Sequence, residues 1–199
     1  YKKQLQLHHE AVVDVAIVGA GAAGLFAAIW AGKKVEGHSV QIAVLDSARK
    51  LGAKILVAGG GRCNVTHCRV TEHDFAGSSP AAIRKVLRRF SVEQTVEFFA
   101  DAGIELKKEE TGKLFPVSDS ARTILQALLD QAQSVDVSIT HPARVTDIDQ
   151  LPCSVLTKGC EKEPRLRVVS EDGVLLARHV IVCTGGKSLP KSGSDGSGY

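Results

Sequence analysis

Residues 19–24 read Gly-Ala-Gly-Ala-Ala-Gly, and Asp46 stands 22 positions after the last of these glycines. That spacing suits a backbone that turns sharply and then lets a diphosphate come close. Gly19 allows the tight turn, and Gly21 removes the side chain where backbone must meet a pyrophosphate. Gly24 lets the helix that follows pack tightly on the strand before it. Such a helix opens at Ala22 and Ala23 and offers unpaired N–H groups and a partial positive charge to phosphates. Asp46, with Ser47 beside it, can accept hydrogen bonds from an adenosine ribose. The competing account of Asp46 is a cap on the turn at Ser47. Strand, glycines, helix and acid together favour a bound adenine dinucleotide over a purely structural turn.

The flanking residues supply the elements that must hold this turn. Residues 12–18, "VVDVAIV", are short, β-branched and stopped by glycine, and predict a buried strand. Residues 22–31 predict a helix, and residues 40–45, "VQIAVL", a second strand. Strand, tight turn, helix and strand form a βαβ unit, so a parallel sheet is expected. Residues 46–78 predict a long irregular region rich in glycine and polar side chains. Two helices follow: one capped by Ser79 with Pro80 in its first turn, the other capped by Ser91 with Gln94 three residues on and stopped at Gly103. Residues 104–116 predict a hairpin turning at Thr111-Gly112, and a helix then runs from Asp119 or Ser120 to about Gln133. From 135 the chain turns β-rich, with two strands broken at Pro142. A hairpin at Asp172-Gly173 leads into a buried strand that ends at Thr184, Gly185 and Gly186.

Composition narrows the function classes. Apolar residues make up 44% of the 199 positions and charged residues 24%, so a packed globular core is expected. Net charge is only +3, and no nucleic-acid partner is expected from it. The densest basic patch, Arg84, Lys85, Arg88 and Arg89, also fits the solvated face of a helix. Five irregularly spaced cysteines (63, 68, 153, 160 and 183) lack any CxxC pair, so no metal site is expected and reduced thiols in a cytoplasmic protein are the reading taken. The stretch 15–32 carries no charge and reaches the rough length of a membrane span. Its glycines and alanines make it only weakly apolar, so neither a span nor an export signal is expected. Six of the seven histidines, His8, His9, His38, His67, His73 and His141, read as polar surface groups.

NAD and FAD share the dinucleotide fingerprint. A plain NAD dehydrogenase would continue in regular βαβ units, whereas this chain breaks into a glycine-rich loop, helices and a β-meander. That favours FAD and a Rossmann-like α/β fold with a helical insertion.

Four stretches, "DVAIVGAGAAGLFAA", "GAKILVAGGGRCNVTH", "TGKLFPVSDSA" and "VIVCTGGKSLPKSGSDGSGY", make the sequence resemble the BaiN-like FAD-dependent oxidoreductases, some of them known as aminoacetone oxidases. The likeness spans residues 14–199. It implies that "GGGRCN" lies against the flavin. Gly59, Gly60 and Gly61 would bring backbone amides close to the pyrophosphate or flavin edge. Arg62 would offset negative charge on phosphate or reduced flavin, and Asn64 would orient by donating and accepting hydrogen bonds. Cys63 sits among these contacts; as a redox centre it lacks a suitably spaced partner, Cys68 being five residues on.

The resemblance also places Lys54 near the cofactor, although Ala53 stands where the family more often has Arg. Val145 falls where such flavoproteins hold adenine by main-chain bonds, and Thr184, Gly185 and Gly186 on the strand that returns past the dinucleotide. The activity implied is hydride transfer from NAD(P)H through FAD to an unsaturated or carbonyl small molecule. A non-catalytic dinucleotide-binding fragment and a flavoprotein of tRNA modification are the alternatives. No catalytic residue and no oligomeric state can be named. The family's proteins run to roughly twice this length. The expected layout is therefore an arm at 1–10 and an incomplete FAD-binding domain over 11–199. Its glycine-rich and helical insertion would span 47–134, and 187–199 would start a linker to a substrate domain.

Overall fold

The computed structural model describes residues 11–33, 40–151 and 164–186. The arm at 1–10, the tail at 187–199, Cys153 and Cys160 lie outside the described residues. The chain divides into two compact units, residues 1–54 with 128–199, and residues 55–127.

The first unit is built on a six-stranded sheet. β1 (Ala11–Val18) runs parallel to β2 (Ile42–Leu45), and β2 parallel to β6 (Ser138–Thr140). On the other side of β1 lies β9 (Gly173–Val182), also parallel. β8 (Leu166–Ser170) and β7 (Val145–Gln150) continue antiparallel from β9 as the expected meander, giving the order β6-β2-β1-β9-β8-β7. All four residues of β2 are buried, as parallel strands covered on both faces must be. Val13, Ala16, Leu45, Val168, Leu175 and Ala177 form the core of one cluster. Helix α1 (Ala22–Lys33) crosses between β1 and β2 and buries Leu25, Ala28 and Ile29. Near its end Gly32 lies so close to Val135 that a Cβ there would meet the valine side chain at 2.7 Å.

The last strand departs from its sequence reading. The strand expected to be buried as it runs into Thr184 is open near its end, where Ile181 is 37% and Val182 54% exposed. The reason is pairing. β8 reaches only as far as the Leu166–Ala177 pair, so among the described residues the remainder of β9 has β1 alone beside it. An apolar run does not reveal how many neighbours its strand will have.

The second unit is helical with a small sheet. The stretch 46–78, expected to be irregular, in fact contains helix α2 (Ala53–Val57), a 3₁₀ turn at Ala58–Gly61, strand β3 (Thr66–His67) and a 3₁₀ turn at Glu72–Asp74. Burial of Ile55 secures α2, a contact that the glycine-rich composition conceals. β3, β5 (Lys113–Pro116) and β4 (Leu106–Lys108) form an antiparallel sheet with β5 in the middle. The hairpin turns at Gly112, whose φ is +82°.

Helix α3 (Pro80–Leu87) starts where Ser79 Oγ accepts a hydrogen bond from the Ala82 amide. Helix α4 (Val92–Asp101) starts with the full capping box of Ser91 and Gln94. It packs against β3 and β4 and buries Phe98 and Phe99, which meet edge-to-face at 5.2 Å. The chain returns to the first unit through helix α5 (Ala121–Ser134).

Candidate functional site

Strand register brings the first candidate site together. Val18 of β1 is paired with both Leu45 and Val182, and Leu45 with Thr140. Every segment that follows these residues therefore leaves the sheet at the same edge, beside the strand at which the order reverses. Open parallel sheets bind ligands at such a switch point.

Gly19 turns there with φ +103°, and its amide donates to Leu45 O at 2.7 Å. A Cβ on Gly19 would meet Cys183 O at 2.5 Å, so the turn is pressed against the end of β9. A Cβ on Gly24 would lie 1.8 Å from Gly19 O, which means that α1 closes back onto the turn itself. Gly21 differs: a Cβ there would meet nothing within 4 Å. Its missing side chain leaves room on the cleft side of the turn, next to the first amides of α1.

Asp46 follows directly on β2. One carboxylate oxygen accepts from the Ala20 amide and the other from the Ala48 amide at 2.7 Å. The acid therefore pins the glycine turn and caps the turn after β2 at once. Each oxygen keeps a lone pair, so the carboxylate can still accept a hydroxyl donor. Asp46 is itself fixed by the Ala143 amide, which donates to its carbonyl at 2.7 Å, and by its own amide, which donates to Thr140 O at 3.1 Å.

The cleft at this edge has a volume of about 270 Å³. Gly19, Gly21, Ala22, Ala23, Asp46, Ser47, Lys54, Val145, Thr184 and Gly185 all line it. Gly24 lies beneath the turn, fully occupied with packing, and Gly186 is not among the lining residues. Ala20, Gly52, Arg144 and Cys183 line the cleft without having been singled out in the sequence. Arg144 was within reach of sequence reasoning as the neighbour of Val145; Cys183 enters only because β9 inserts beside β1. The Cys183 thiol is held above its usual pKa by burial.

The second candidate site belongs to the second unit. Gly59, Gly60 and Gly61 have φ of +56°, +70° and +88°, three successive left-handed residues that only glycine adopts cheaply. A Cβ at Gly59 would also meet the Asn64 amide and the Phe115 ring, each at 2.8 Å, whereas Gly60 faces open space. The run is followed by Arg62, whose φ is −97°, and the amides of both Arg62 and Cys63 close back onto Ala58 O. Asn64 beside the run is exposed. Cys63 is buried, has φ +62° and donates its amide to Ala58 O at 2.9 Å. Burial pushes its thiol pKa up, which keeps it protonated and unreactive.

Arg62 has a different environment from the one its phosphate role supposes. Its guanidinium is ion-paired with Glu109, lies 3.7 Å from an Asp119 oxygen and stacks 4.1 Å from the centre of the Phe115 ring. The hydrogen bond to Glu109 raises its pKa further. Asp119 is held below the usual carboxylate range by Lys107 first and Arg62 second. Arg62 thus ties the glycine run to the β4–β5 hairpin. Among the described residues there is no cluster of metal-ligating side chains, and no helix is long and apolar enough to cross a membrane.

With this geometry in place, comparison with known proteins is informative. Residues 13–199 match the HI0933-like protein Rossmann domain. The chain belongs to this family. A 3-dehydro-bile acid delta(4,6)-reductase of Clostridium scindens is 34% identical over 186 residues, covering 93% of this chain and 42% of that protein. A ribosomal RNA dihydrouridine synthase of Escherichia coli is 29% identical over 192 residues, covering 94% and 42%. The chain therefore spans less than half the length of these relatives. Among solved structures, the E. coli quinol fumarate reductase FrdA superposes with a TM-score of 0.61 at 18% identity, covering 89% of this chain and 33% of that one. At that identity the likeness establishes the fold, a Rossmann-type α/β domain, in agreement with the sequence reading.

Proposed function

We propose that this family member forms the FAD-holding part of an oxidoreductase that passes hydride from NAD(P)H through FAD to a carbon–carbon double bond conjugated with a carbonyl. The observation that carries the reading is the Gly21 position: open space in front of a pinned turn, at the first amides of α1 and the switch point of a parallel sheet. The residues fit the group. The cradle is one that a side chain at Gly21 would fill, and the cleft volume of about 270 Å³ suits the adenosine diphosphate half of a dinucleotide better than the whole.

FAD, when bound, supplies a centre that accepts hydride from a reduced nicotinamide and donates it to an acceptor. The chain's part is to bind and orient. The amides at Ala22 and Ala23 face the diphosphate, and Asp46 takes a ribose hydroxyl on its remaining lone pairs. Lys54 and Arg144 supply positive charge along the lining. Gly59 to Gly61 are assigned to the pyrophosphate or flavin edge, with Arg62 as the brace of that loop.

The substrate class rests on what the relatives share. The delta(4,6) double bonds of a 3-oxo steroid acid and the reducible bond of uridine are conjugated with a carbonyl, and both proteins are named for saturating or reducing such systems. The relatives named for ribosomal RNA favour a second reading, in which that bond lies in an RNA base. The first experiment is a visible spectrum of the purified chain titrated with FAD, with ADP as competitor. A flavin band that stays with the protein and is displaced by ADP is expected. Absence of both FAD and ADP binding would sink the proposal. A gain of two hydrogens by mass in a conjugated ketone, or in RNA, then decides between the two substrates.

A further inference from the structure

The second unit contains a surface that the dinucleotide reading does not use. Helix α3 buries none of its residues; only Ile83 and Leu87 are half-covered. A helix of eight residues has little stability of its own. It is held by the Ser79 cap, by Pro80 and by the ion pair of Arg84 with Glu72. Its outward face carries Arg84, Lys85, Arg88 and Arg89, which with Ala81 line a cleft of about 340 Å³ that contains no carboxylate. Among the described residues Lys85, Arg88 and Arg89 form no ion pair.

An adjoining cleft of about 560 Å³ shares Arg84 and Arg88 and adds Arg69 and Phe75. Phe75 is 52% exposed, and Val86 on the helix is 70% exposed. The acids at the margin are engaged: Glu72 by Arg84, and Glu93 by Ser91. A helix dipole accounts for cations in a last turn. It does not account for an exposed aromatic ring among them.

We infer that this face is an RNA-binding surface: Lys85, Arg88 and Arg89 contact successive phosphates of one strand, and Phe75 stacks on an unpaired base. The four cations lie within the six positions from Arg84 to Arg89, at the end of α3 and just past it, five steps of helix-like rise or roughly 7.5 Å, enough to face two phosphates. Cations beside a stacking ring are what single-stranded segments of a folded RNA require, whereas a membrane surface would call for apolar side chains in numbers. The overall charge of +3 concealed this, because the acids of the unit concentrate after residue 92 while the cations of α3 stand together. The inference rests on the second reading above, an RNA substrate, and assigns it a surface; it needs no bound cofactor, so it and the flavin reading can fail separately.

The test is fluorescence anisotropy of a labelled RNA hairpin with an unpaired loop, titrated with the whole chain from about 50 to 200 mM salt. The triple variant Lys85→Gln/Arg88→Gln/Arg89→Gln is compared with Lys108→Gln/Lys113→Gln/Arg122→Gln, which removes equal charge elsewhere. Circular dichroism checks that both retain the fold. The first variant is expected to weaken binding and to make the salt slope shallower by about two to three units, while the second leaves the slope unchanged. Phe75→Ser is expected to cost about tenfold on the looped RNA and nothing on a plain duplex. Equal losses in the two triple variants, no salt-dependent RNA binding by the parent chain, or binding to anionic vesicles in preference to RNA would each overturn the inference.

Discussion

Two glycines three residues apart in the same turn should answer to different measurements. In Gly24→Ala the added Cβ would lie 1.8 Å from Gly19 O. Relief requires moving a backbone carbonyl by more than an ångström, and Gly19 is itself pressed against Cys183 O. In an ordinary helix interior the change would stabilise by about 1 kcal/mol, through lost freedom of the unfolded chain. Here overpacking against backbone outweighs that gain, for a net loss of about 3 kcal/mol.

Over a urea slope of about 3 kcal/mol/M, the unfolding midpoint falls by about 1 M. In Gly21→Ala the Cβ meets nothing within 4 Å and the backbone is not left-handed, so the midpoint holds or rises slightly. FAD affinity is expected to show the opposite pattern, falling about tenfold or more in Gly21→Ala, because the methyl would occupy the space that the proposed function gives to the diphosphate. Urea titrations of both variants and FAD titration of the second decide the matter. Equal stability losses at 24 and 21, or an unaffected FAD affinity at 21, would refute the division of labour between the two positions.

Further outcomes follow from the charges and thiols. Glu72 is held at a pKa of about 2, down from 4.5, chiefly by its hydrogen bond to Arg84. A depressed carboxylate stabilises above its unfolded pKa and loses that contribution as pH falls toward the folded one. The docking of α3 is therefore expected to loosen between about pH 4.5 and 2, and Arg84→Gln should raise the Glu72 midpoint towards 4.5 in a carboxyl NMR titration. Among the described cysteines, alkylation of the native protein at mild alkaline pH is expected to modify exposed Cys68 first. Buried Cys63, whose thiol pKa is raised, should react only on unfolding, as peptide mass mapping would show.

The parts legible in the sequence were those with short-range causes. Ser79 and Pro80, Ser91 and Gln94, and Gly112 each mark an element end through a bond or dihedral made within a few residues. The helix α2 escaped notice because burial of Ile55, rather than any cap, secures it. The ion pair of Arg62 was out of reach, since nothing near it in sequence signals Glu109, 47 positions on.

By itself the sequence determined that a β-branched strand ends in three spaced glycines and opens a helix, with an acid at the end of the next strand. These are local matters of dihedral freedom and side-chain volume. Only the tertiary structure decided that β9 lies beside β1 and β2 on its other side. That arrangement makes Gly24 a packing glycine and Gly21 an open one, and gathers Asp46, Lys54, Val145 and Thr184 at one edge. The physical reason is that strand order and register depend on which apolar faces are buried together across more than a hundred residues. A spacing pattern carries no record of that choice.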